Sequence, residues 1–301
     1  MSKRFLLVIT GPTGSGKTAL SIELAKQLGC SIVSADSRQT FKEIPIGSAA
    51  PSSKEMEGVP HYFIGSKSIS EEFNAGKFEK EALSLLDKLF EENSIQIVCG
   101  GTGLYIKALL HGMDDLPKSS PEMRAELDLQ WHINSEVLLK ELNELDPEYC
   151  RSADLSNKQR VIRAIEVIRI SGKKYSELRT NLEKKRDFEF RILAIDIPRE
   201  TLYERINART ISMMNCGWLE EAKAVLTYRD CNALRTVGYQ ELFAFLDGKM
   251  ILEEAIALIQ QNTRRYSKRQ ITWIRHQEQV EWISPTLSLL ELAENLKKEL
   301  T

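Results

Sequence analysis

The residues from Gly11 to Thr18 have the types and spacing of a phosphate-binding loop. The run Gly-Pro-Thr-Gly-Ser-Gly-Lys-Thr fits the pattern G-x-x-x-x-G-K-[ST] and lies between an apolar stretch and an amphipathic one. Glycines let successive backbone N–H groups face a phosphate, and the N-terminus of the following helix adds its dipole. The sequence therefore predicts a P-loop and a substrate that carries a di- or triphosphate. The residues predicted to bind the diphosphate are Gly11, Thr13, Gly14, Ser15, Gly16, Lys17 and Thr18.

The last two residues of this loop supply the side chains that phosphate chemistry needs. Lys17 provides a positive charge, and the Thr18 hydroxyl is a ligand suited to Mg²⁺, which we expect as cofactor. A hydrolytic NTPase usually has an acidic residue at the end of a later strand. The apolar run that ends at Cys99 is instead followed by glycines and Thr102. This difference favours a transferase with Thr102 in its substrate channel.

Apolar strands and amphipathic helices alternate around these residues. The β-rich runs are 5–10, 31–35 and 95–99, and helical periodicity lies between them. This alternation predicts an α/β fold with a P-loop NTPase-like parallel sheet flanked by helices. Ligands of such sheets gather at the carboxyl ends of the strands. The side chains expected at those ends are Lys17, Asp36 and Thr102.

The pattern of the chain changes after Leu110. Prolines and serines at 117–121 mark a break, and the chain to about Arg186 is helical and charged, with no clear strand. A buried strand returns at 191–197. We therefore predict a discontinuous core domain with C-terminal helices. Its segments are 1–113 and 187–301, and an all-helical insertion domain occupies 114–186.

The charge of the chain is uneven. A net charge of -2 gives no global field that would attract nucleic acid. Residues 151–191 nevertheless carry 12 basic and 6 acidic side chains, and residues 260–277 carry 5 basic and no acidic ones. Two such patches on an acidic chain favour local contact with nucleic-acid phosphates.

Cysteine usage indicates the compartment. The 5 cysteines are odd in number, scattered and without a C-x-x-C pair, which argues against a disulfide framework and against a zinc site. Such usage is typical of the reducing cytoplasm. No stretch approaches the roughly 20 apolar residues of a membrane span. We expect a cytoplasmic monomer that does not bind a membrane.

Six segments, taken in their order along the chain, resemble the motifs of tRNA dimethylallyltransferases. These enzymes transfer an isopentenyl-type group to the adenosine that follows the anticodon. Each motif after the P-loop is weak alone, but the ordered set spans nearly the whole chain and is specific. The segments are Gly11 to Thr18, Ala35 to Gln39, Gly100 to Tyr105, Asn157 to Ala164, Val237 to Tyr239, and Lys268 to Trp273.

This resemblance implies a reaction and roles for the residues. A dimethylallyl group would pass from dimethylallyl diphosphate to the exocyclic N6 amine of the adenosine, and pyrophosphate would leave. The amine is a poor nucleophile, so Asp36 is expected to act as general base. Thr102 and Arg209 are expected to stabilise the departing pyrophosphate. Arg205, one helical turn before Arg209, is expected to be a solvated surface charge.

The resemblance also implies tRNA, through its anticodon stem-loop, as partner. The target adenine must leave its stack to reach the crevice. The candidate tRNA contacts are Ser37, Arg38, Gln39, Arg124, Gln159, Arg160, Arg163 and Tyr239. For Tyr239, stacking on a base and a place in the core are both open. Phe41, Ala50 and Gln240 depart from the expected tyrosine, lysine and arginine, which favours an altered choice of tRNA over lost activity.

Two other functions remain open at this point. A small-molecule kinase of the nucleotide or shikimate type shares the P-loop and an aspartate in the crevice. The long insertion and the basic C-terminal helix weigh against it. A non-enzymatic RNA-binding protein would need neither an intact P-loop nor Asp36.

Overall fold

The computed structural model describes residues 3–180, 182–284 and 289–300. The strands are β1 (Phe5–Thr10), β2 (Ile32–Ser34), β3 (His61–Tyr62), β4 (Ile95–Gly100), β5 (Glu189–Ile195) and β6 (Val280–Ile283). The helices are α1 (Lys17–Leu28), α2 (Ser53–Met56), α3 (Ala75–Glu92), α4 (Gly103–His111), α5 (Pro121–Leu145), α6 (Pro147–Ser152), α7 (Lys158–Ser171), α8 (Tyr175–Leu178), α9 (Arg199–Asn215), α10 (Trp218–Ala224), α11 (Tyr239–Leu246), α12 (Leu252–Arg275) and α13 (Leu289–Leu300). Two short 3₁₀ helices are Leu226–Tyr228 and Asn232–Leu234.

The strands of the described chain form one parallel sheet in the order β3-β2-β4-β1-β5-β6. β1 lies in its middle, where Phe5 pairs with Ile95 of β4 and with Glu189 of β5. Because every neighbour is parallel, all carboxyl ends reach the same edge of the sheet. The predicted α/β fold with a P-loop-like core is confirmed.

The sequence of β1 explains its central place. All six of its residues are buried, and Leu6 to Ile9 are fully inaccessible. Such continuous apolar runs are typical of parallel strands covered on both faces. Leu7 and Ile9 pack with Leu24 of α1 and Leu296 of α13 in one cluster. Burial of each of these side chains stabilises the fold by about 1.5–3 kcal/mol, so the P-loop begins from a rigid strand.

The chain divides into two compact units. One comprises Met1–Leu110 and Arg186–Thr301, and the other is His111–Lys185. The predicted domain limits, 113 and 187, lie within three residues of these boundaries. The insertion has its own core, in which Leu127, Leu138 and Leu142 of α5 pack on α7. Its described residues form helices and no strand.

The structure also bears on disulfides, metal sites and membrane-spanning helices. All 5 cysteines are free thiols, and Cys30 and Cys99 are buried. The described part of the chain has no group of three or more His, Cys, Asp or Glu side chains placed to hold a metal ion. It also contains no helix with the length and apolar character needed to cross a membrane.

Candidate active site

The P-loop joins β1 to α1 in a form that exposes backbone donors. Gly14 and Gly16 have φ angles of 84° and 94°, a left-handed region in which a side chain would be strained. Gly16 is the N-cap of α1, and the first turn of that helix has no acidic residue. The Ser15 hydroxyl is buried and has no hydrogen-bond partner among the described residues. An anion at this helix N-terminus would satisfy these donors.

Asp36 follows β2 in a hydrogen-bonded turn. Its Oδ1 accepts hydrogen bonds from the backbone N–H groups of Arg38, at 2.9 Å, and Gln39, at 3.4 Å. Thr102, which follows β4, accepts a hydrogen bond from the Ser37 N–H at 2.9 Å and donates to the Ser37 Oγ at 3.3 Å. The Thr102 hydroxyl therefore holds the turn of the predicted base. Its contact with the diphosphate stays a prediction.

A close approach of backbones joins β2 to β4 at this edge. The Ala35 N–H donates to the Cys99 carbonyl at 2.8 Å, and the Thr102 N–H donates to the Ala35 carbonyl at 3.2 Å. A Cβ on Gly100 would lie 2.3 Å from the carbonyl carbon and oxygen of Ala35. Only glycine fits there, so the glycine-rich turn fixes Asp36 as well as Thr102.

Cationic side chains from α1 and α9 converge on the loop. The Arg209 Nη1 lies 3.4 Å from the Thr13 Oγ1, and the Arg205 Nη1 lies 3.5 Å from the Ser15 carbonyl oxygen. Arg209 is thus at the loop, as predicted. Arg205 is exposed, as expected, and its Nη1 also adjoins the loop.

The electrostatics of the loop favour an added anion. Burial lowers the pKa of Lys17; Cys99 and Asp36 oppose this change, and Arg209 adds to it. Burial also lowers the pKa of Arg209, against the influence of Asp36 and Glu55. Lys17 and Arg209 are therefore partly buried cations, with Asp36 acting on both. The charges of a diphosphate would offset that desolvation.

The same residues suit Mg²⁺ only as a companion of the diphosphate. Thr18 offers one hydroxyl, and no cluster of metal ligands lies among the described residues. Mg²⁺ commonly takes one or two protein ligands and fills its other positions with substrate phosphates and water. The donor set at Thr18 fits that mode and does not fit a metal held by protein alone.

Two side chains of α12 lie at the site and were not predicted. The Gln270 side chain accepts from the Thr13 N–H and donates to the Gly101 carbonyl, both at 2.9 Å. Burial raises the pKa of Tyr266 to about 12, with Asp36 adding to the change and Arg38 opposing it. Gln270 lies in the motif from Lys268 to Trp273, but no role was predicted for it. For Tyr266, the one feature of the sequence that could have indicated a role is its position as an aromatic residue among basic ones.

The predicted tRNA contacts beside Asp36 are partly engaged within the protein. Arg38 donates from Nη1 to the Asn232 carbonyl at 2.8 Å, and burial lowers its pKa. Gln39 donates to the Ala49 carbonyl at 3.1 Å and accepts from the Ser34 hydroxyl at 3.2 Å. Both the oxygen and the nitrogen of the Gln39 amide therefore make hydrogen bonds within the protein.

Tyr239 requires a correction. Its side chain is completely buried, and its hydroxyl donates to the Glu221 Oε1 at 2.5 Å. The ring also packs edge-on against Trp218, with centroids 6.1 Å apart. A ring enclosed in this way has no face for a base, so the structure favours the core interpretation. The neighbouring Gln240 is exposed, whereas Phe41 is buried.

In the insertion, the predicted contacts separate into two groups. Arg124 and Arg163 both bind the fully buried Glu166, with closest distances of 3.1 Å and 2.6 Å. Arg163 also donates to the Pro117 carbonyl at 2.7 Å. These two arginines stabilise the unit itself, because an unpaired buried carboxylate would be costly. Gln159 and Arg160 are exposed on the first turn of α7.

Burial would raise the pKa of Glu166, but its partners more than offset this effect. Hydrogen bonds from Arg163, Ser119 and Ser120, with the charge of Arg124, hold the pKa below its ordinary value. Glu166 is therefore an ionised core residue that organises one end of α7 and the start of α5.

Comparison with known proteins places the chain among tRNA-modifying enzymes. The model of the IPP transferase family matches residues 39–277. The tRNA dimethylallyltransferase of Cytophaga hutchinsonii is 48% identical over 283 residues, which cover 94% of this chain and 93% of that protein. The enzyme of the same name from Flavobacterium psychrophilum is 46% identical over 285 residues and covers 92% of this chain and 93% of its own.

Solved structures agree with these relatives. The tRNA isopentenylpyrophosphate transferase of Bacillus halodurans has a TM-score of 0.72 and 33% identity, covering 99% of this chain and 97% of its own. A eukaryotic dimethylallyltransferase acting on tRNA has a TM-score of 0.78 and 27% identity, covering 99% of this chain and 77% of its own.

Proposed function

Because the chain belongs to the IPP transferase family, we propose a mechanism in which Asp36 is the general base and the P-loop holds the leaving diphosphate. The activity itself, transfer of a dimethylallyl group to an adenosine of tRNA, is the one predicted from the six motifs. The kinase alternative has no support. We propose that the acceptor is the N6 amine of the adenosine 3′ to the anticodon.

One observation carries the assignment of roles. Asp36, Thr102 and the P-loop follow three adjacent strands, β2, β4 and β1, at the same edge of the sheet. Asp36 acts electrostatically on both Lys17 and Arg209. The base and the anion-binding groups therefore belong to one crevice, as an in-line displacement at a carbon between them requires.

The proposed chemistry is a single displacement. The N6 nitrogen forms a bond to the allylic carbon while the bond from that carbon to the diphosphate oxygen breaks. The proton lost by the amine goes to the Asp36 carboxylate, and the electron pair of the broken bond leaves on pyrophosphate. Lys17, Arg209, the Ser15 hydroxyl and the loop N–H groups stabilise the charge that develops there.

Thr18 is the proposed ligand of Mg²⁺. The ion, when bound, would supply further positive charge next to the diphosphate. Lys17 and Arg209 lie at the same loop, so the protein would contribute cations of its own beside the ion.

The tRNA partner needs basic surfaces outside the crevice. We propose that Gln159 and Arg160 on α7, and the exposed cations of α12, contact its phosphates. The exposed cations of α12 are Arg265, Lys268, Arg269 and Arg275. We propose that Arg38 and Ser37, next to Asp36, contact the flipped nucleotide. Free cysteines throughout the chain support a reducing compartment, for which we propose the cytoplasm.

The position of transfer and the role of the P-loop can be tested together. The protein is incubated with Mg²⁺, labelled dimethylallyl diphosphate and an unmodified anticodon stem-loop, and the digested RNA is analysed. We expect label on N6 of the adenosine 3′ to the anticodon, and none on a stem-loop with guanosine there. Lys17→Ala should raise the KM for dimethylallyl diphosphate about 100-fold, whereas Lys88→Ala, an exposed lysine of α3, should not.

Competition by ATP is the result that would contradict the proposed role of the P-loop. If millimolar ATP displaced dimethylallyl diphosphate and was consumed while the RNA stayed unlabelled, the proposed use of the P-loop would be wrong. Label on another atom or another nucleotide would refute the proposed acceptor and leave the family assignment unchanged.

A further inference from the structure

Gln270 joins two separate turns of the catalytic unit with one side chain. Its Oε1 accepts a hydrogen bond from the Thr13 N–H, and its Nε2 donates one to the Gly101 carbonyl, both at 2.9 Å. The side chain is only 7% exposed. One end of the group must accept and the other must donate, so a neutral amide is the chemistry that fits.

The glycines of the turn allow α12 to come this close. A Cβ on Gly101 would lie 2.4 Å from the Gln270 Nε2, and a Cβ on Gly103 would lie 2.4 Å from the Trp273 ring. Gln270 and Trp273 are three residues apart on α12 and therefore share a face. The helix thus sits directly on the turn that leads to Thr102.

The bridge links the anion-binding loop to the base. Gln270 holds Thr13 on one side, and Thr13 Oγ1 is next to Arg209. On the other side Gln270 holds Gly101, and the adjacent Thr102 holds the turn of Asp36 through Ser37. The Thr13 N–H donates to Gln270, and binding of the diphosphate by Thr13 stays a prediction.

We propose that Gln270 is a positioning residue that sets the separation between the diphosphate-binding loop and Asp36. The kinetic part of this inference rests on the proposed function, because it assumes a displacement between those two groups. Displacement is sensitive to alignment, and a misplacement of about 1 Å commonly costs about 100-fold in rate. Gln270 itself touches no reacting atom in this scheme.

The kinetic test replaces the amide of Gln270 with an apolar group of similar size. Gln270→Met removes both hydrogen bonds, and we expect kcat to fall about 10–100-fold while the Kd for dimethylallyl diphosphate changes less than about threefold. The KM for the stem-loop should not change. Gln261→Met is the matched control, since Gln261 is exposed on the same helix, and it should behave as the unmodified enzyme.

A second variant distinguishes positioning from a loss of packing. Gln270→Glu has an ionised carboxylate at neutral pH, which accepts from Thr13 but cannot donate to Gly101. When protonated at lower pH, the same group accepts and donates. The ratio of its kcat to that of Gln270→Met should therefore rise as pH falls. Asp36, Lys17 and Arg209 are present in both variants, so Gln270→Met is the reference against which the change with pH is measured.

Several outcomes would overturn the inference. Unchanged kcat in Gln270→Met, or a ratio that does not depend on pH, would do so. A third variant covers the case in which Gln270→Met does not fold: Gly101→Ala keeps the glutamine but displaces its Nε2. It should lower kcat to a similar degree, and a larger rise in the KM for tRNA than fall in kcat would contradict positioning.

The bridge can also be tested without the reaction. In the unmodified protein, exchange of the Thr13 amide hydrogen with solvent should be slow, because the nearly buried Gln270 side chain accepts it. Gln270→Met should accelerate that exchange at least tenfold, and Gln261→Met should not. Equal exchange in all three proteins would disprove the bridge. Failure of transfer in the unmodified protein would instead disprove the proposed function.

Discussion

Gly100→Ala tests whether one contact between backbones fixes the turn that carries Asp36. The new Cβ would lie 2.3 Å from the Ala35 carbonyl carbon and oxygen, whereas ordinary contacts begin near 3.4 Å. Both atoms belong to backbone that is hydrogen-bonded to β4, so no side-chain rotation relieves the contact. The chain before Asp36 must therefore move by about 1 Å, a displacement that commonly costs about 100-fold in rate.

The expected free energies follow from that displacement. A 100-fold loss of kcat corresponds to about 2.7 kcal/mol of transition-state stabilisation. Overpacking of a buried site should also lower the free energy of unfolding by about 1–3 kcal/mol. The P-loop is on the far side of β4 from Ala35, so affinity for dimethylallyl diphosphate should change by less than about threefold.

The assay is single-turnover transfer of labelled dimethylallyl to an anticodon stem-loop, with urea unfolding measured in parallel. Gly76→Ala in α3 is the control, because its Cβ would lie 3.6 Å from the Asn74 Oδ1, an ordinary contact. It should keep kcat and gain about 0.5–1 kcal/mol of stability. A folded Gly100→Ala enzyme with kcat close to that of the unmodified protein would refute the argument that this contact fixes Asp36.

Three further predictions concern the cations, the insertion and the tRNA surface. Arg209→Ala should lower kcat about 100-fold, as loss of a charged donor to the leaving group does, and Arg205→Ala should have the smaller effect of a more exposed cation, both measured by single turnover. Glu166→Gln should lower the free energy of unfolding by about 3 kcal/mol at pH 7. The pKa of Glu166 is lowered in the folded state, so its contribution to stability is present above the unfolded pKa of about 4.3 and is lost as pH falls below it. The free energies of unfolding of the two proteins in urea should therefore converge in acid. A difference that stays constant with pH would contradict this. Arg160→Ala should weaken stem-loop binding in fluorescence titrations and reduce its salt dependence by about one charge, and an unchanged salt slope would exclude a phosphate contact.

Local sequence patterns predicted the parts of the site that depend on local structure. The P-loop, the strand before it and the turns after β2 and β4 each need residues that are neighbours in the chain. Their meeting at one sheet edge follows from the parallel order of the strands. β6 was missed because two of its four residues are exposed and it lacks a continuous apolar run.

Roles that depend on partners distant in the sequence were harder to predict from it. Arg163 and Arg124 resemble a basic RNA-binding pattern, but Glu166 lies buried between them and fixes their use. Tyr239 is enclosed by Glu221 and Trp218, neither of which its own segment reveals. Gln270 bonds to Thr13 across 257 positions of sequence. Such pairings arise from packing, which a single sequence does not encode by spacing.

The most direct test of the mechanism is single-turnover transfer by Asp36→Asn, with both substrates bound at saturation. The amide keeps the shape of the side chain but cannot take the proton of the amine. We predict a fall in the transfer rate of at least about 100-fold, with the Kd values for dimethylallyl diphosphate and stem-loop within about threefold of the unmodified enzyme. Asp230→Asn, the same change at an exposed turn, should have no effect. Transfer by Asp36→Asn at the unmodified rate would contradict the assignment of Asp36 as the base.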